Sequence, residues 1–265
     1  MGTYDSSKYR VEPLARYLEK NYNCIKELLI ECVGIKEDQL PSLANPKFYY
    51  GQQEKALKPT EEHLLGLIDH LAAKEHNLPE TKVGTLRYQL FYGNKFERRQ
   101  AAQKAKELLR NGYNSLANNS KRQYVFEGFS KPDLLIDTDE CVILVEGKWT
   151  ETKVTNSTTY IKGNDEQRNQ MVRHIQGALN EYKGKKVIAF YIVDDRCKYK
   201  NQLRTSEMSE LVDNETIKPN DDERGLIRDS YYGFTTWQEV SKAFESIHFK
   251  TKKEIAESIE KTGKH

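Results

Sequence analysis

Residues 131–148 read KPDLLIDTDECVILVEGK, and this stretch decides the fold. Two apolar runs, 134–136 and 141–145, flank the polar residues Thr138-Asp139-Glu140. A polar segment of this length between two apolar runs predicts a β-hairpin. The second run is apolar on both faces, which is typical of a strand in the centre of a sheet.

Three charged residues stand at one end of this predicted hairpin. Glu146 and Lys148 are two residues apart, so a strand projects both side chains from the same face. Asp133 begins the neighbouring antiparallel strand, so the hairpin brings it to the same place. Buried carboxylates repel each other unless a cation joins them, and hard oxygen ligands suit Mg²⁺ or Mn²⁺. The alternatives are a turn-forming role for Asp133 after proline and a plain Glu146–Lys148 ion pair.

The segments around the hairpin predict an α/β fold. A helix over 85–109, which Gly93 divides, and a short strand over 123–127 precede the hairpin. A helix follows, capped by Asn164 and ended by Gly184, and the apolar run 186–193 predicts a further strand. The order is therefore α-β-β-β-α-β, with helices flanking a mixed central sheet.

The rest of the chain predicts two additions to a core over 83–200. Residues 1–82 form a helical region, in which 39–58 is a connection because it holds three helix breakers. Residues 201–265 form a C-terminal extension of loops and helices that packs on the core. Residues 198–230, which overlap its start, are predicted to be loop-rich, 234–247 is a short helix, and Ile255 and Ile259 indicate a terminal docking helix.

Composition excludes several classes of protein. The longest apolar runs fall far short of a membrane span, and the first residues lack the apolar stretch of a signal peptide. No cysteine spacing matches a zinc or redox motif, so we expect a cytoplasmic location. The net charge is +2, but residues 95–122 hold eight basic and two acidic residues. Such a stretch suits a phosphate backbone, although a solvated helix face is the plainer alternative.

The residues Pro132-Asp133 and Glu146-Gly147-Lys148, placed on paired strands, resemble the motif of the PD-(D/E)XK, or restriction-endonuclease-like, nucleases. The resemblance covers residues 95–195, less than half of the chain. It implies that Asp133 and Glu146 bind metal, with the Gly147 carbonyl as a further ligand, and that Lys148 is catalytic. It also implies a glutamine on the following helix, here Gln170.

Members of this superfamily often carry an additional glutamate before the sheet. Glu97 is the candidate for it, and Glu127 is the rival. His174 shares a helix face with Gln170, but on general grounds we assign it to the helix surface rather than to a ligand set.

The resemblance implies a Mg²⁺-dependent (or Mn²⁺-dependent) endonuclease that acts on DNA, with a homodimer suited to double-strand cleavage. The alternatives are a catalytically inactive binding or scaffold protein with the nuclease fold, and a nuclease acting on RNA or branched DNA. The basic residues expected at the nucleic acid are Arg98, Arg99, Lys104, Lys121, Arg122, Arg168 and Arg173.

Overall fold

A computed structural model of the protein describes residues 6–73, 85–111, 129–149, 156–157, 168–213, 215, 217 and 219–262. Its centre is a five-stranded mixed sheet with the order β1-β2-β3-β6-β7. The strands of this sheet are β1 (Lys47–Tyr50), β2 (Leu134–Asp137), β3 (Cys141–Gly147), β6 (Lys186–Val193) and β7 (Tyr231–Thr236). Two further short strands, β4 (Asn156–Ser157) and β5 (Arg168–Asn169), pair with each other.

Helices flank the sheet, so the predicted α/β class is confirmed. They are α1 (Glu12–Lys20), α2 (Cys24–Glu27), α3 (Glu61–Ala73), α4 (Thr85–Tyr92), α5 (Lys95–Arg110), α6 (Gln170–Glu181), α7 (Thr205–Asp213), α8 (Asp221–Asp229), α9 (Trp237–Ala243) and α10 (Lys252–Thr262). A π-helical turn precedes α1 over Ser7–Val11, and another extends α2 over Leu28–Cys32. No helix in the described ranges is both long and apolar enough to cross a membrane.

The predicted hairpin is confirmed in its register. Leu134 lies opposite Val145, and Asp137 lies opposite Val142, in an antiparallel ladder. The loop is closed by Thr138, whose Oγ1 accepts a hydrogen bond from the Cys141 N–H at 3.0 Å. The side-chain bond pins the loop, so the register that places residue 133 beside residue 146 is fixed locally.

Chain connections after the hairpin also follow the predicted order. Strand β6 covers the predicted residues 186–193 and pairs in parallel with β3, with α6 as the crossover between them. The division of the third helix at Gly93 and the terminal helix around Ile255 are likewise confirmed. The predicted strand 123–127 lies outside the described residues.

Four details of the sequence prediction were wrong. The connection 39–58 contains β1, which pairs with β2 at the edge of the sheet. The region 198–230 holds α7 and α8 instead of mostly loop. Phe234 belongs to strand β7, so the following helix begins only at Trp237. Helix α6 begins at Gln170 rather than after Asn164, which is outside the described residues.

Two apolar cores cover the two faces of the sheet. Cys141, Ile143 and Val145 pack against the N-terminal helices and α9. Val142 and Leu144 pack against α6, α7 and α8 on the other face. Helix α5 packs instead with α3 and α4 in a separate cluster. The face toward α6 is the one that carries Glu146 and Lys148, because strand residues alternate between faces.

Candidate active site

The hairpin places the three motif residues together where β3 ends. Asp133 precedes β2, and its Oδ2 accepts a hydrogen bond from the Gly147 N–H at 2.9 Å. Lys148 Nζ lies 2.8 Å from Glu146 Oε1, and both side chains are buried, with 7% and 2% of the residue exposed. The predicted convergence of these side chains is therefore present in the structure. The Glu146–Lys148 ion pair that was weighed as an alternative is part of the same arrangement.

Gln170 joins this group from the first position of α6. The helix begins here because the Asn169 side chain accepts hydrogen bonds from the N–H groups of Met171 and Val172. Gln170 Nε2 donates to Glu146 Oε1 at 2.7 Å, and Gln170 Oε1 accepts from Lys148 Nζ at 3.2 Å. The glutamine thus contacts both members of the ion pair, and its amide holds them in one geometry.

His174 lies one helical turn further along α6, and it is buried with 1% exposed, so its assignment to the helix surface was wrong. His174 Nε2 lies 3.1 Å from Glu146 Oε2, and His174 Nδ1 makes a short hydrogen bond with Ser130 Oγ. The signal was available in the sequence, because His174 is four residues after Gln170 and therefore shares its face. The apolar residues near His174 in the sequence did not show whether its side chain is buried or exposed.

The charges in the cluster shift the pKa values of the two carboxyl groups in opposite directions. Burial, followed by the negative charge of Glu146, raises the pKa of Asp133 well above its usual range, although the Gly147 N–H and Lys148 oppose this. Burial also disfavours ionised Glu146, but Lys148 and His174 outweigh it and hold the pKa of Glu146 at about 2. Glu146 therefore carries the negative charge, and Asp133 resists ionisation unless a further cation is present.

Glu54 is a third carboxylate near this cluster, and the sequence analysis missed it. It is half-buried, it follows β1 after one 3₁₀ turn, and its negative charge contributes to the raised pKa of Asp133. The prediction failed because residues 39–58 were read as a connection, so no side chain in them was expected near the sheet. The pairing of β1 with β2 and the bridge between Leu57 and Ser130 bring Glu54 to this end of the hairpin.

The structure gives Glu97 a local role in its own helix. Its side chain accepts a hydrogen bond from the Asn94 N–H at 2.7 Å, which completes a capping box at the start of α5. Helix α5 packs with α3 and α4 in a cluster separate from the two cores that cover the sheet. The rival, Glu127, lies outside the described residues.

Two of the residues predicted to contact nucleic acid are buried in the structure. Arg98 is 5% exposed and donates to the carbonyls of Gly93 and Ala72, and Arg173 is 7% exposed within α6. Arg99 and Lys104 are exposed on α5 and free of the apolar cluster that α5 shares with α3 and α4. Among the other predicted contacts, Lys121 and Arg122 fall outside the described residues, and Arg168 is described only as a residue of β5.

The donor set fits a hard divalent cation. Within the described ranges, no group of three or more Asp, Glu, His or Cys side chains is arranged to hold a metal. Two adjacent carboxylates are nevertheless enough for Mg²⁺, which keeps several waters and binds through one or two carboxylates plus substrate phosphate. The Gly147 carbonyl accepts a hydrogen bond from Ser6 Oγ at 2.9 Å, and its second lone pair is a further oxygen donor.

Comparison with known proteins adds no relative, since no protein-family model, no curated protein and no solved structure matches the chain. The functional argument therefore depends on the geometry of the cluster.

Proposed function

We propose that this protein is a Mg²⁺-dependent endonuclease of the PD-(D/E)XK type that hydrolyses DNA. The observation that carries the proposal is the convergence of Asp133, Glu146 and Lys148 where two paired strands meet, with Gln170 bonded to the last two. Glu146 and Lys148 are buried and Asp133 and Gln170 are half-buried, so the set is costly to the fold, and such perturbed groups cluster at functional sites. The order β2-β3-α6-β6 agrees with the arrangement that the motif requires.

Each residue has a role that its surroundings support. Asp133 and Glu146 would hold the cation, which when bound neutralises the phosphate and makes hydroxide available at neutral pH. Lys148 contributes an ammonium that stabilises the charge that develops on the phosphate oxygens. Gln170 fixes the direction of Lys148 through its amide oxygen. Glu54 supplies a further carboxylate beside Asp133, in the role that Glu97 was predicted to have.

A second candidate function is a nucleic-acid-binding protein with this fold and no chemistry. One observation favours it: both Glu146 oxygens already accept hydrogen bonds, Oε1 from Lys148 and Gln170 and Oε2 from His174, and the residue is 2% exposed. A cation would have to share these lone pairs with the present donors. The two candidates therefore differ in whether Glu146 binds a metal.

Cleavage assays on the purified full chain test the proposal. The substrates are supercoiled, single-stranded and branched DNA and single-stranded RNA, each with Mg²⁺, Mn²⁺ or EDTA. We expect metal-dependent DNA cleavage that falls roughly 10²- to 10³-fold in Lys148→Ala, because one stabilising charge is lost. Lys253→Ala is the matched control, since the side chain of Lys253 is 87% exposed on α10. Circular dichroism of each variant verifies that it is folded.

The outcomes separate the candidates. Cleavage that is equal in wild type and in folded Lys148→Ala contradicts the assigned site. Cleavage of RNA alone keeps the chemistry and changes the substrate. DNA binding without cleavage, with no Mn²⁺ heat in calorimetry and no change in Glu146→Gln, establishes the binding protein instead.

A further inference from the structure

Ser130, His174 and Glu146 form a buried hydrogen-bonded chain that the nuclease motif does not include. They are 6%, 1% and 2% exposed, respectively. Ser130 lies just before the hairpin, and His174 lies on the second turn of α6. The chain runs from Ser130 Oγ to His174 Nδ1 and from His174 Nε2 to Glu146 Oε2. It therefore approaches Glu146 from the side opposite Lys148 and Gln170, which bind Oε1.

The direction of each hydrogen bond follows from the groups involved. The ionised carboxylate of Glu146 only accepts, so His174 Nε2 must carry a hydrogen. In the neutral ring, Nδ1 then accepts the Ser130 hydroxyl hydrogen, which selects one of the two tautomers. Glu146 thus requires the hydrogen on Nε2, and Ser130 holds Nδ1 at the other side of the ring.

Ser130 is itself held by the backbone. Its N–H donates to the Leu57 carbonyl at 2.9 Å, and its carbonyl accepts from the Leu57 N–H at 2.7 Å. This two-bond bridge fixes the Cα of Ser130, so the hydroxyl has a defined position relative to α6. Ser130, which lies outside the charged cluster, therefore orients the ring of His174. Rotation of the Glu146 side chain would break hydrogen bonds at both of its carboxylate oxygens.

We propose that His174, oriented by Ser130, is a positioning residue that fixes the Glu146 carboxylate for a divalent cation. The inference rests on the proposed function only in that the site binds a divalent cation. It assumes nothing about the substrate. Residues that orient metal-binding carboxylates typically change metal affinity 10- to 100-fold when they are removed. The competing explanation is that His174 only fills space between α6 and the sheet, in which case its loss changes stability and leaves cation affinity unaltered.

Calorimetric titration of the full chain with Mn²⁺ tests this without any need for cleavage. We expect His174→Leu, which removes the donor, to weaken Mn²⁺ binding about 10- to 100-fold. His174→Gln keeps an N–H group near the position of Nε2, and we expect it to restore most of the lost affinity. Ser130→Ala removes the hydrogen-bond partner of Nδ1 and so fixes the ring less firmly, and we expect an intermediate loss.

The control is Ile175→Val, on the same helix and in the core that α6 shares with the sheet. It removes one buried methylene, which costs about 1 kcal/mol of stability, and leaves every hydrogen-bonding side chain of the Ser130–His174–Glu146 chain in place. We expect it to bind Mn²⁺ as the wild type does. In addition, ¹⁵N NMR of histidine-labelled apoprotein is expected to show the Nε2–H tautomer at His174.

Several results would overturn the inference. They are wild-type Mn²⁺ affinity in folded His174→Leu, an affinity loss in Ile175→Val as large as that in His174→Leu, and an Nδ1–H tautomer. Absence of Mn²⁺ binding in the wild type removes both this inference and the proposed function. Mn²⁺ binding that depends on His174, in a protein that cuts no nucleic acid, leaves the positioning role in place and refutes the nuclease alone.

Discussion

The two faces of strand β3 have opposite compositions where the strand ends. Toward α6, the alternation Val142, Leu144, Glu146 ends in a charge that needs Lys148, Gln170 and His174 as partners. Toward the N-terminal helices, the alternation ends in Gly147, which has packing neighbours and no side chain. Neighbouring residues of β3 therefore face opposite sides of the sheet, so the charged groups and the packed face are one residue apart in the sequence. We expect changes on the first face to affect activity and changes on the second to affect stability.

The largest expected effect is that of Asp133→Asn. Cleavage should fall at least roughly 10³-fold, because the cation loses one of its two carboxylates. Stability in EDTA should instead rise at pH 8, by about 1 to 2 kcal/mol, as is common when a strained functional group is neutralised. Because the pKa of Asp133 is raised in the folded protein, protonation of Asp133 stabilises the fold. This stabilisation is complete below about pH 4 and is lost as pH rises through the folded-state pKa. Urea denaturation and cleavage rates measure the two effects.

Asp139→Asn is the matched control for this change. Asp139 is exposed in the hairpin loop, where its carboxylate accepts a hydrogen bond from Asn45. We expect less than about 0.5 kcal/mol of change and full activity. Loss of both stability and activity in Asp133→Asn would mean that Asp133 is a structural residue of the turn.

Gly147→Ala lies on the other face of β3, and we expect it to lower stability. A Cβ at this position would lie 2.4 Å from Val11 Cγ2 and 3.1 Å from the Trp237 ring, so the helices must shift. We expect a loss of about 3 kcal/mol in the free energy of unfolding, measured with urea.

Gly225→Ala controls for the loss of a glycine, since nothing lies within 4 Å of its added Cβ in α8. It should be neutral or stabilising by up to about 1 kcal/mol. Unchanged stability in Gly147→Ala would show that the face toward the N-terminal helices is loosely packed, and the comparison between the faces would fail.

A smaller effect concerns the pH dependence of the α6 face. Because burial lowers the pKa of His174 below the unfolded value near 6.5, the unfolded chain takes up a proton that the folded protein does not. Stability should fall as pH drops from about 6.5 towards the folded pKa, by at most about 1.4 kcal/mol per pH unit. Urea midpoints between pH 7.5 and 5.5 measure it in Asp133→Asn, which removes the opposite contribution of Asp133. Adding His174→Gln should flatten the curve, and an identical slope would assign the proton elsewhere.

The smallest expected effect is at Arg99 and Lys104 on α5, which belongs to neither face of β3. If these exposed residues contact phosphate, each alanine variant should lower the salt dependence of DNA binding by about one counterion and leave stability unchanged. Fluorescence anisotropy at several salt concentrations measures this. Arg98→Ala is the contrasting variant, because its buried guanidinium bonds to Gly93 and should affect folding instead.

The sequence was sufficient wherever one strong local pattern determined the structure. The runs 141–145 and 187–193 are apolar without interruption, and each forms most of a buried strand of the sheet. From the hairpin, the convergence of Asp133, Glu146 and Lys148 followed by alternation alone. Gln170 was found through the resemblance to a nuclease motif, and the structure bonds it to Glu146 and Lys148.

Elements at the edges of the sheet were missed because their patterns are weak. Strand β1 has four residues between Pro46 and Gly51, and its pairing with β2 depends on contacts far away in the sequence. Strand β7 contains Gly233 with φ of 79°, and a glycine in the sequence is more typical of a turn than of a strand. Glu54 shares this difficulty, because it lies near the site only through the pairing of β1 with a strand far away in the sequence.

The indole of Trp237 donates a hydrogen bond to the Lys148 carbonyl at 3.0 Å, and Ser6 bonds to the carbonyl of the preceding residue. The backbone of residues 147–148 is therefore held by residues encoded near the beginning and near the end of the described chain. During translation, Trp237 leaves the ribosome long after Lys148 does. The proposed nuclease thus acquires its working geometry only when synthesis has passed Trp237, and an incompletely made chain holds the reactive groups without the contacts that align them.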